Sequence, residues 1–442
     1  MYGIELKKIN VFGNRIEYQF SVDNTLRDYF NPEQKFVIEY FFDNQKLDIS
    51  SVPNAVLAVP FVCNVLPIVW ITGTTLYVPE LDQAFYNCIS EVKKGYEVMF
   101  PETEWTGKIE VTKAIACDKA AEFGKCAMFY SGGIDSTQTL ISHLNEHPML
   151  VSVWGSDLEV ENQIGWEFLK NGIDVVAKRF QLPQITIKST FRKFDNEGKL
   201  DHSFQHILKD GWWHGVKHGL ALLGHVAPVA FYYNLEKMYI ASSHSPEDGR
   251  VRCASNPLID DNVRYANCTV IHDGFEYNRQ KKTANIVKFS KNDKPIPLHV
   301  CWESQTGGNC CHCEKCFRTI IGLLAEDADP NSFGFQDYER YIGKSQEIVK
   351  KNINPNLCKE WRKIKRRMLS NLDLQKSKNW KHIKWVLKTD FEHPDSIELP
   401  RLYKIRGKLL PCGFYQLLHH IKEICFEKCN FDTSKDTAKK TE

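Results

Sequence analysis

A chain of 442 residues exceeds what one hydrophobic core usually spans, so two or three domains are expected. With 43% hydrophobic and 25% charged residues, the balance is that of an ordinary globular protein. A formal net charge of +2 is too small to carry nucleic-acid or membrane binding by itself.

The start, Met-Tyr-Gly-Ile-Glu-Leu-Lys-Lys, lacks the basic-then-apolar layout of a secretory signal, and a cytoplasmic location is expected. Residues 1–120 read as an accessory domain, β-rich or α+β. Segment 10–20 alternates loosely, 35–42 is rich in Phe, Val, Ile and Tyr, and 82–94 has the period of an amphipathic helix. The most apolar stretch, 52–78, is broken by prolines, Asn54, Asn64 and threonines, so no membrane span is expected. Between these signals, 57–76 is a buried packing segment whose type the sequence leaves open.

From 121 to 325 apolar runs alternate with helical stretches. Strands are expected at 126–130, 149–154, 185–188 and 238–242, and helices at 136–144, 166–180 and 211–232. This alternation predicts an α/β fold, a parallel sheet with helices on both faces, with ligands at the carboxyl ends of the strands. Residues 326–442 read as a helical, basic extension with a polar end at 430–442.

Directly after the first strand of the α/β region comes Ser131-Gly132-Gly133-Ile134-Asp135-Ser136-Thr137. Paired glycines allow positive φ and close ligand approach. Successive amides can form an anion nest, reinforced by the free amides and positive dipole end of the next helix. Ser131, Ser136 and Thr137 can add hydroxyl donors. The loop lacks the Gly-Lys-Ser or Gly-Lys-Thr of a Walker motif.

Fifteen cysteines is a high count, and the cluster at 301–316 suggests a metal site rather than a disulfide framework. Cys301, Cys310, Cys313 and Cys316 offer four thiolates, a closed tetrahedral set suited to structural zinc. An iron–sulfur cluster is the competing reading. Cys311 is out of step with the spacing, and His312 is a substitute ligand at most.

The Ser-Gly-Gly-x-Asp-Ser string in a strand–loop–helix setting resembles the pyrophosphate loop of the PP-loop (N-type) ATP pyrophosphatases. Together with the downstream C-x8-C-x2-C-x2-C, it looks like 7-cyano-7-deazaguanine synthase (QueC) over roughly residues 121–325. The resemblance implies a PP-loop fold, ATP, Mg²⁺ and structural zinc. It also implies activation of a carboxylate such as 7-carboxy-7-deazaguanine, with release of AMP and pyrophosphate, followed by amide or nitrile formation. By the same analogy the adenine lies against Val153, Trp154 and Gly155, and residues 131–137 hold the phosphates. Asp135, Ser136 and Arg279 are the catalytic candidates, with Asp135 orienting either Mg²⁺ or the loop. Arg250, Arg252 and Lys282 are further candidates for the phosphates, and Ser243, His244 and Asp260 follow the fourth strand as substrate candidates.

Two features depart from the family. A typical member is much shorter. Segments 239–244, 255–260 and 272–276 also do not read like its usual substrate-binding stretches. The chain is more similar to a divergent QueC-like group, some of whose members belong to antiphage defence systems, which implies a partner protein. Two other functions stay open: a base-modifying (thiolating) enzyme, and a nucleotide-binding component without turnover. The basic 359–367 run, followed by lysines interleaved with Trp380 and Trp385, could hold nucleic acid, but a solvated helix face is the preferred reading.

Overall fold

The computed structural model describes residues 3–117, 125–301, 303–304 and 307–393. The loosely alternating start forms β1 (Gly3–Phe12) and β2 (Arg15–Val22), an antiparallel pair that turns at Gly13, whose φ is +61°. β3 (Val37–Phe42) pairs with β2, and the short β4 (Gln45–Lys46) folds back on β3. The segment of open type is a helix, Val59–Thr72, with every residue from 59 to 70 buried. A helix apolar on all sides has no face to give to water, so it lies inside the molecule. β5 (Thr75–Asp82) and β6 (Lys108–Ile115) flank the amphipathic helix Gln83–Met99, whose first turn is capped by the Asp82 carboxylate accepting from the Phe85 N–H at 3.0 Å.

The α/β region supplies β7 (Cys126–Phe129), β8 (Met149–Trp154), β9 (Gln184–Ser189), β10 (Lys237–Ala241), β11 (Arg264–Tyr265) and β12 (Cys268–Asp273). Strands β12, β10, β7, β8 and β9 run parallel. All strands join one 12-stranded sheet in the order β11-β12-β10-β7-β8-β9-β3-β2-β1-β5-β6, with β4 off the path. The join is the antiparallel β3–β9 pair, with Ile38 opposite Ser189 and Phe42 opposite Ile185. The strands on either side of residue 120 therefore share one sheet. Beyond β7 the chain first winds through β8 and β9, then returns to β10 on the other flank of β7. That reversal is a topological switch point, where doubly wound sheets open a crevice at their carboxyl edge.

Helix His218–Tyr233 packs on helix Val59–Thr72. The approach is so close that a Cβ on Gly224 would lie 2.5 Å from the Cys63 Cβ. The start of this long apolar helix departs from plain α geometry: Trp213–Lys217 is a π-helical turn. It seats the fully buried Lys217, whose ammonium lies 2.7 Å from the Asp195 carboxylate and donates to the Phe191 carbonyl at 2.7 Å. Burial pushes the Asp195 carboxyl up to about 6, against the pull of Lys217.

The basic run of the C-terminal region lies on helix Pro355–Ser370, where Lys363 is buried, Arg366 is exposed and the other cations are half-buried, several of them paired with carboxylates. Lys363 forms a buried ion pair with Asp248, Arg367 pairs with Glu326 at 2.8 Å, and Arg366 pairs with Glu247 at 2.8 Å. Trp361 and Trp385 are buried, with their indole N–H groups donating to Glu314 and Ser345. Aromatics enclosed in this way present no open face for stacking a base. The polar 430–442 stretch lies outside the described residues. No helix among the described residues is long and apolar enough to cross a membrane.

The close helix crossing yields an expected outcome. Gly224→Ala lowers unfolding stability by about 1–3 kcal/mol, the usual cost of overpacking. Urea denaturation of the two proteins checks this, and an unchanged midpoint would show that the crossing has slack.

Candidate functional site

The loop after β7 enters the switch-point crevice. Gly132 has φ +74°, a left-handed conformation that an L side chain rarely adopts, and its carbonyl accepts from the His299 N–H at 2.7 Å. A Cβ at Gly132 would come within 3.4 Å of the His299 Cβ, so the loop and the 299 segment are in contact. Gly133 precedes helix Ile134–His143, and no side chain caps that helix. The first amides of such a helix have no partner within it, so this end offers donors and the positive dipole end to an anion. The Ser131 and Ser136 hydroxyls face each other at 3.4 Å at the loop mouth. Thr137 is fully enclosed and Ile134 packs into the core, so of the hydroxyls expected here only Ser131 and Ser136 stand at the loop mouth.

Asp135, in the first turn, faces a group of cations. Its carboxylate lies 2.8 Å from the Arg279 guanidinium and 3.3 Å from the Lys282 ammonium. Burial pushes this carboxyl up, but Arg279, Lys282 and then Lys315 outweigh it and hold it down at about 2. Lys282 is buried, and it also donates to the Ser242 carbonyl just past β10. Burial and neighbouring Arg279 push the Lys315 ammonium below the ordinary lysine range. The sequence had singled out Arg279 and Lys282 but not Lys315, although Lys315 sits inside the cysteine motif.

That motif forms the next layer. The ligand atoms of Cys301, Cys310, Cys313 and Cys316 all lie within 4.8 Å of one another. The Cys301–Cys313 and Cys310–Cys316 sulfur separations are 3.9 and 3.8 Å. A tetrahedron with metal–sulfur bonds of about 2.3 Å has edges of about 3.8 Å, so the cluster fits a metal ion such as zinc. Hydrogen bonds from the other three thiols pull Cys301 well below the ordinary thiol range. Cys313 caps helix Glu314–Ala325, its sulfur accepting from the Cys316 N–H at 3.4 Å. Cys311 turns away, with its thiol directed to the Gln336 carbonyl, and His312 is exposed. The knuckle thus carries His299, which meets the loop at Gly132, just before Cys301, and Lys315, whose charge pulls on Asp135, between Cys313 and Cys316.

The other candidates are placed unevenly. Trp154 ends β8, but its ring is already stacked on Trp166 at 5.1 Å, and the Lys188 ammonium sits 4.1 Å over it. What β8 leaves for a ligand is therefore backbone near Gly155, whose φ of +109° lets it lie against the Ser189 carbonyl. Arg250 donates to the Val98 and Met99 carbonyls. Arg252 donates to the Leu208 carbonyl and pairs with Glu102. Both anchor their loop to the ends of helices Gln83–Met99 and Glu197–Leu208, and their guanidinium groups are engaged there. Asp260 is fully buried beneath that loop, 2.7 Å from both the Ser255 hydroxyl and His272 Nδ1, and is thus removed from direct ligand contact. Ser243 is exposed and His244 half-buried at the carboxyl end of β10.

One positioning network was not foreseen from the sequence. Asp273, ending β12, accepts from the Thr139 hydroxyl at 2.7 Å and lies 2.8 Å from His143 Nε2. Both partners lie on the loop helix, which is thereby tied to the strand across the switch point.

Comparisons with protein families, with curated proteins and with solved structures find no match to this chain.

The charge arrangement sets an expected pH dependence. Because the folded Asp135 carboxyl is depressed from 3.8 to about 2, its stabilisation is present above about pH 4 and lost as pH falls through 2. At neutral pH, Asp135→Asn should cost about 2.5 kcal/mol, the equivalent of that shift. Added pyrophosphate should recover part of this loss by supplying negative charge. Thermal melts with and without pyrophosphate check it, and an Asn variant as stable as the parent would overturn the assignment.

Proposed function

We propose that this chain binds ATP·Mg²⁺ at the 131–137 loop and activates a carboxylate by adenylation. AMP is passed to the acid, pyrophosphate leaves, and an amine then displaces AMP. The observation that carries this reading is the uncapped helix start behind Gly132-Gly133, with Arg279 and Lys282 paired to Asp135. Such an array offers fixed positive charge where a leaving pyrophosphate accumulates negative charge, the electrostatic strategy of phosphoryl chemistry.

In this reading the loop amides and the Ser131 and Ser136 hydroxyls hold the terminal phosphates. Lys282 and Arg279 stabilise the departing pyrophosphate. Asp135, ionised at every physiological pH, keeps the cations aimed in the absence of nucleotide, and it can share Mg²⁺ once nucleotide is bound. The adenine rests on the β8 backbone at Val153–Gly155 rather than on the face of Trp154. Zinc in the Cys301/Cys310/Cys313/Cys316 knuckle is structural: a closed set of four thiolates leaves no open position, and its work is to hold His299 and Lys315 against the loop. The proposed substrate is a 7-deazaguanine-type carboxylic acid, and the proposed setting is a cytoplasmic antiphage defence system with a partner protein. What supports these finer points is the motif resemblance alone.

A turnover assay by mass spectrometry, with ATP, Mg²⁺, 7-carboxy-7-deazaguanine and ammonia, tests the reading. AMP, pyrophosphate and a deazaguanine amide or nitrile are expected. Lys282→Met should lower turnover by about a hundredfold or more, the usual loss when one preorganised charge is removed. ATP left intact sinks the adenylation reading, and AMP formed without change in the deazaguanine sinks only the substrate. A second outcome concerns the knuckle. Cys313→Ser should weaken ATP binding in calorimetry as well as lower the melting temperature, because the metal supports Lys315 and His299. A variant that melts earlier but binds ATP unchanged would separate the knuckle from the loop.

A further inference from the structure

A second group of metal-ligating side chains stands outside the cysteine knuckle and plays no part in the adenylation scheme. The ligand atoms of His214, His244 and Cys253 lie within 4.8 Å of one another. They come from three separate segments: the π-helical turn Trp213–Lys217, the loop leaving β10, and the loop 249–256. A π-helical turn inside a longer helix is a common mark of a functional position.

The His214 ring and the backbone of the other two segments are each held in place. The Asp210 carboxylate lies 2.6 Å from His214 Nδ1, which fixes the ring and leaves Nε2 as its free nitrogen. Carboxylate–histidine pairs of this kind orient imidazoles on metals. The Ser242 hydroxyl braces the His244 backbone from both sides, donating to its carbonyl at 2.7 Å and accepting from its N–H at 3.3 Å. The Ala254 N–H donates to the His214 carbonyl at 2.9 Å, tying the Cys253 segment to the π-helical turn. Cys253 is 2% exposed, yet its sulfur faces imidazoles rather than the apolar neighbours of an ordinary buried cysteine. His218 Nδ1 is 3.2 Å from the Trp213 carbonyl, and its Nε2 reaches the same sulfur at 3.8 Å as a hydrogen-bonding neighbour.

We propose that His214, His244 and Cys253 form a second, mononuclear metal site for a divalent ion of the zinc class. The mixed imidazole and thiolate donors suit zinc and disfavour Mg²⁺ or Ca²⁺, which prefer oxygen. Three protein ligands leave a fourth tetrahedral position for water or for an oxygen or nitrogen of a small ligand, unlike the closed knuckle. The side from which such a ligand arrives is the exposed edge of His214. The site lies on the rim that carries the phosphate loop: His244 is two residues beyond Ser242, whose carbonyl accepts from Lys282, which in turn pairs with Asp135. The inference does not rest on the adenylation reading.

Elemental analysis of the full chain, stripped of metal and reloaded with Zn²⁺, tests the proposal without reference to turnover. The expected result is about two ions per chain, from one closed and one open tetrahedral site. Cys253→Ser and His244→Ala should each lower this to about one, while the thiolate-rich charge-transfer band of the Co²⁺-loaded knuckle persists. Should Cys253→Ser fail to fold, His214→Ala, at an exposed position, gives the same readout. A single ion in the parent protein, or an unchanged metal content in these variants, overturns the proposal. Either result leaves the ATP assay of the first reading untouched.

Discussion

Positive charges repel unless something holds them together, and much of the α/β region serves to hold such a group in place. Arg279 and Lys282 converge on one carboxylate, with Lys315 adding a further electrostatic pull, at the amino end of a helix whose dipole adds to the same sign. Two like charges at contact distance repel by several kcal/mol when water is partly excluded. The arrangement therefore needs anchors that do not yield. Lys282 is buried and tied to the end of β10. Lys315 is carried by a helix that starts in the cysteine knuckle. The helix of Asp135 is fastened to β12 through Thr139, His143 and Asp273. Asp135 is the counter-charge that makes the group tolerable.

The parts of the chain that add no loop residue still set this geometry. Helix Pro355–Ser370 spends Lys363, Arg366 and Arg367 on Asp248, Glu247 and Glu326, and Trp361 on Glu314 in the first turn of the knuckle helix. A sequence dense in lysine and arginine thus ties the helix to its neighbours through ion pairs, from the buried Lys363 to the exposed Arg366. On the opposite flank, Arg250 and Arg252 fasten the loop that bears Cys253 to the carbonyls and the carboxylate around the end of helix Gln83–Met99.

The α/β alternation was legible because buried parallel strands read as short apolar runs. Met149–Trp154 stands as its pattern predicts, and the other expected strands differ only at their ends. The loop and the four cysteines were legible because their chemistry is local in sequence. The type of the 57–76 segment was not, since a run apolar on all sides has no period to distinguish helix from strand. Strand β12 was missed because His272 and Asp273 break its apolar run, although both side chains are consumed by partners. The protein partners of Arg250, Arg252 and Asp260 were not legible, because a charged residue near a strand end looks available until its tertiary partner is known. The grouping of His214, His244 and Cys253 was not legible, because the three are far apart in sequence and are joined only by the fold.

The antiparallel seam between β3 and β9 has a consequence for how the chain is made. Ile38 finds its partner at Ser189, so the edge of β3 leaves the ribosome long before the strand that covers it exists. An uncovered strand edge is a template for unwanted pairing, and such late, distant closures slow folding. During synthesis, then, the first strands form a half-built surface that waits for β9 to arrive. Until β9 docks, that edge of β3 has no partner along the seam, so the exposed interval is set by the roughly 140 residues that separate Phe42 from Gln184.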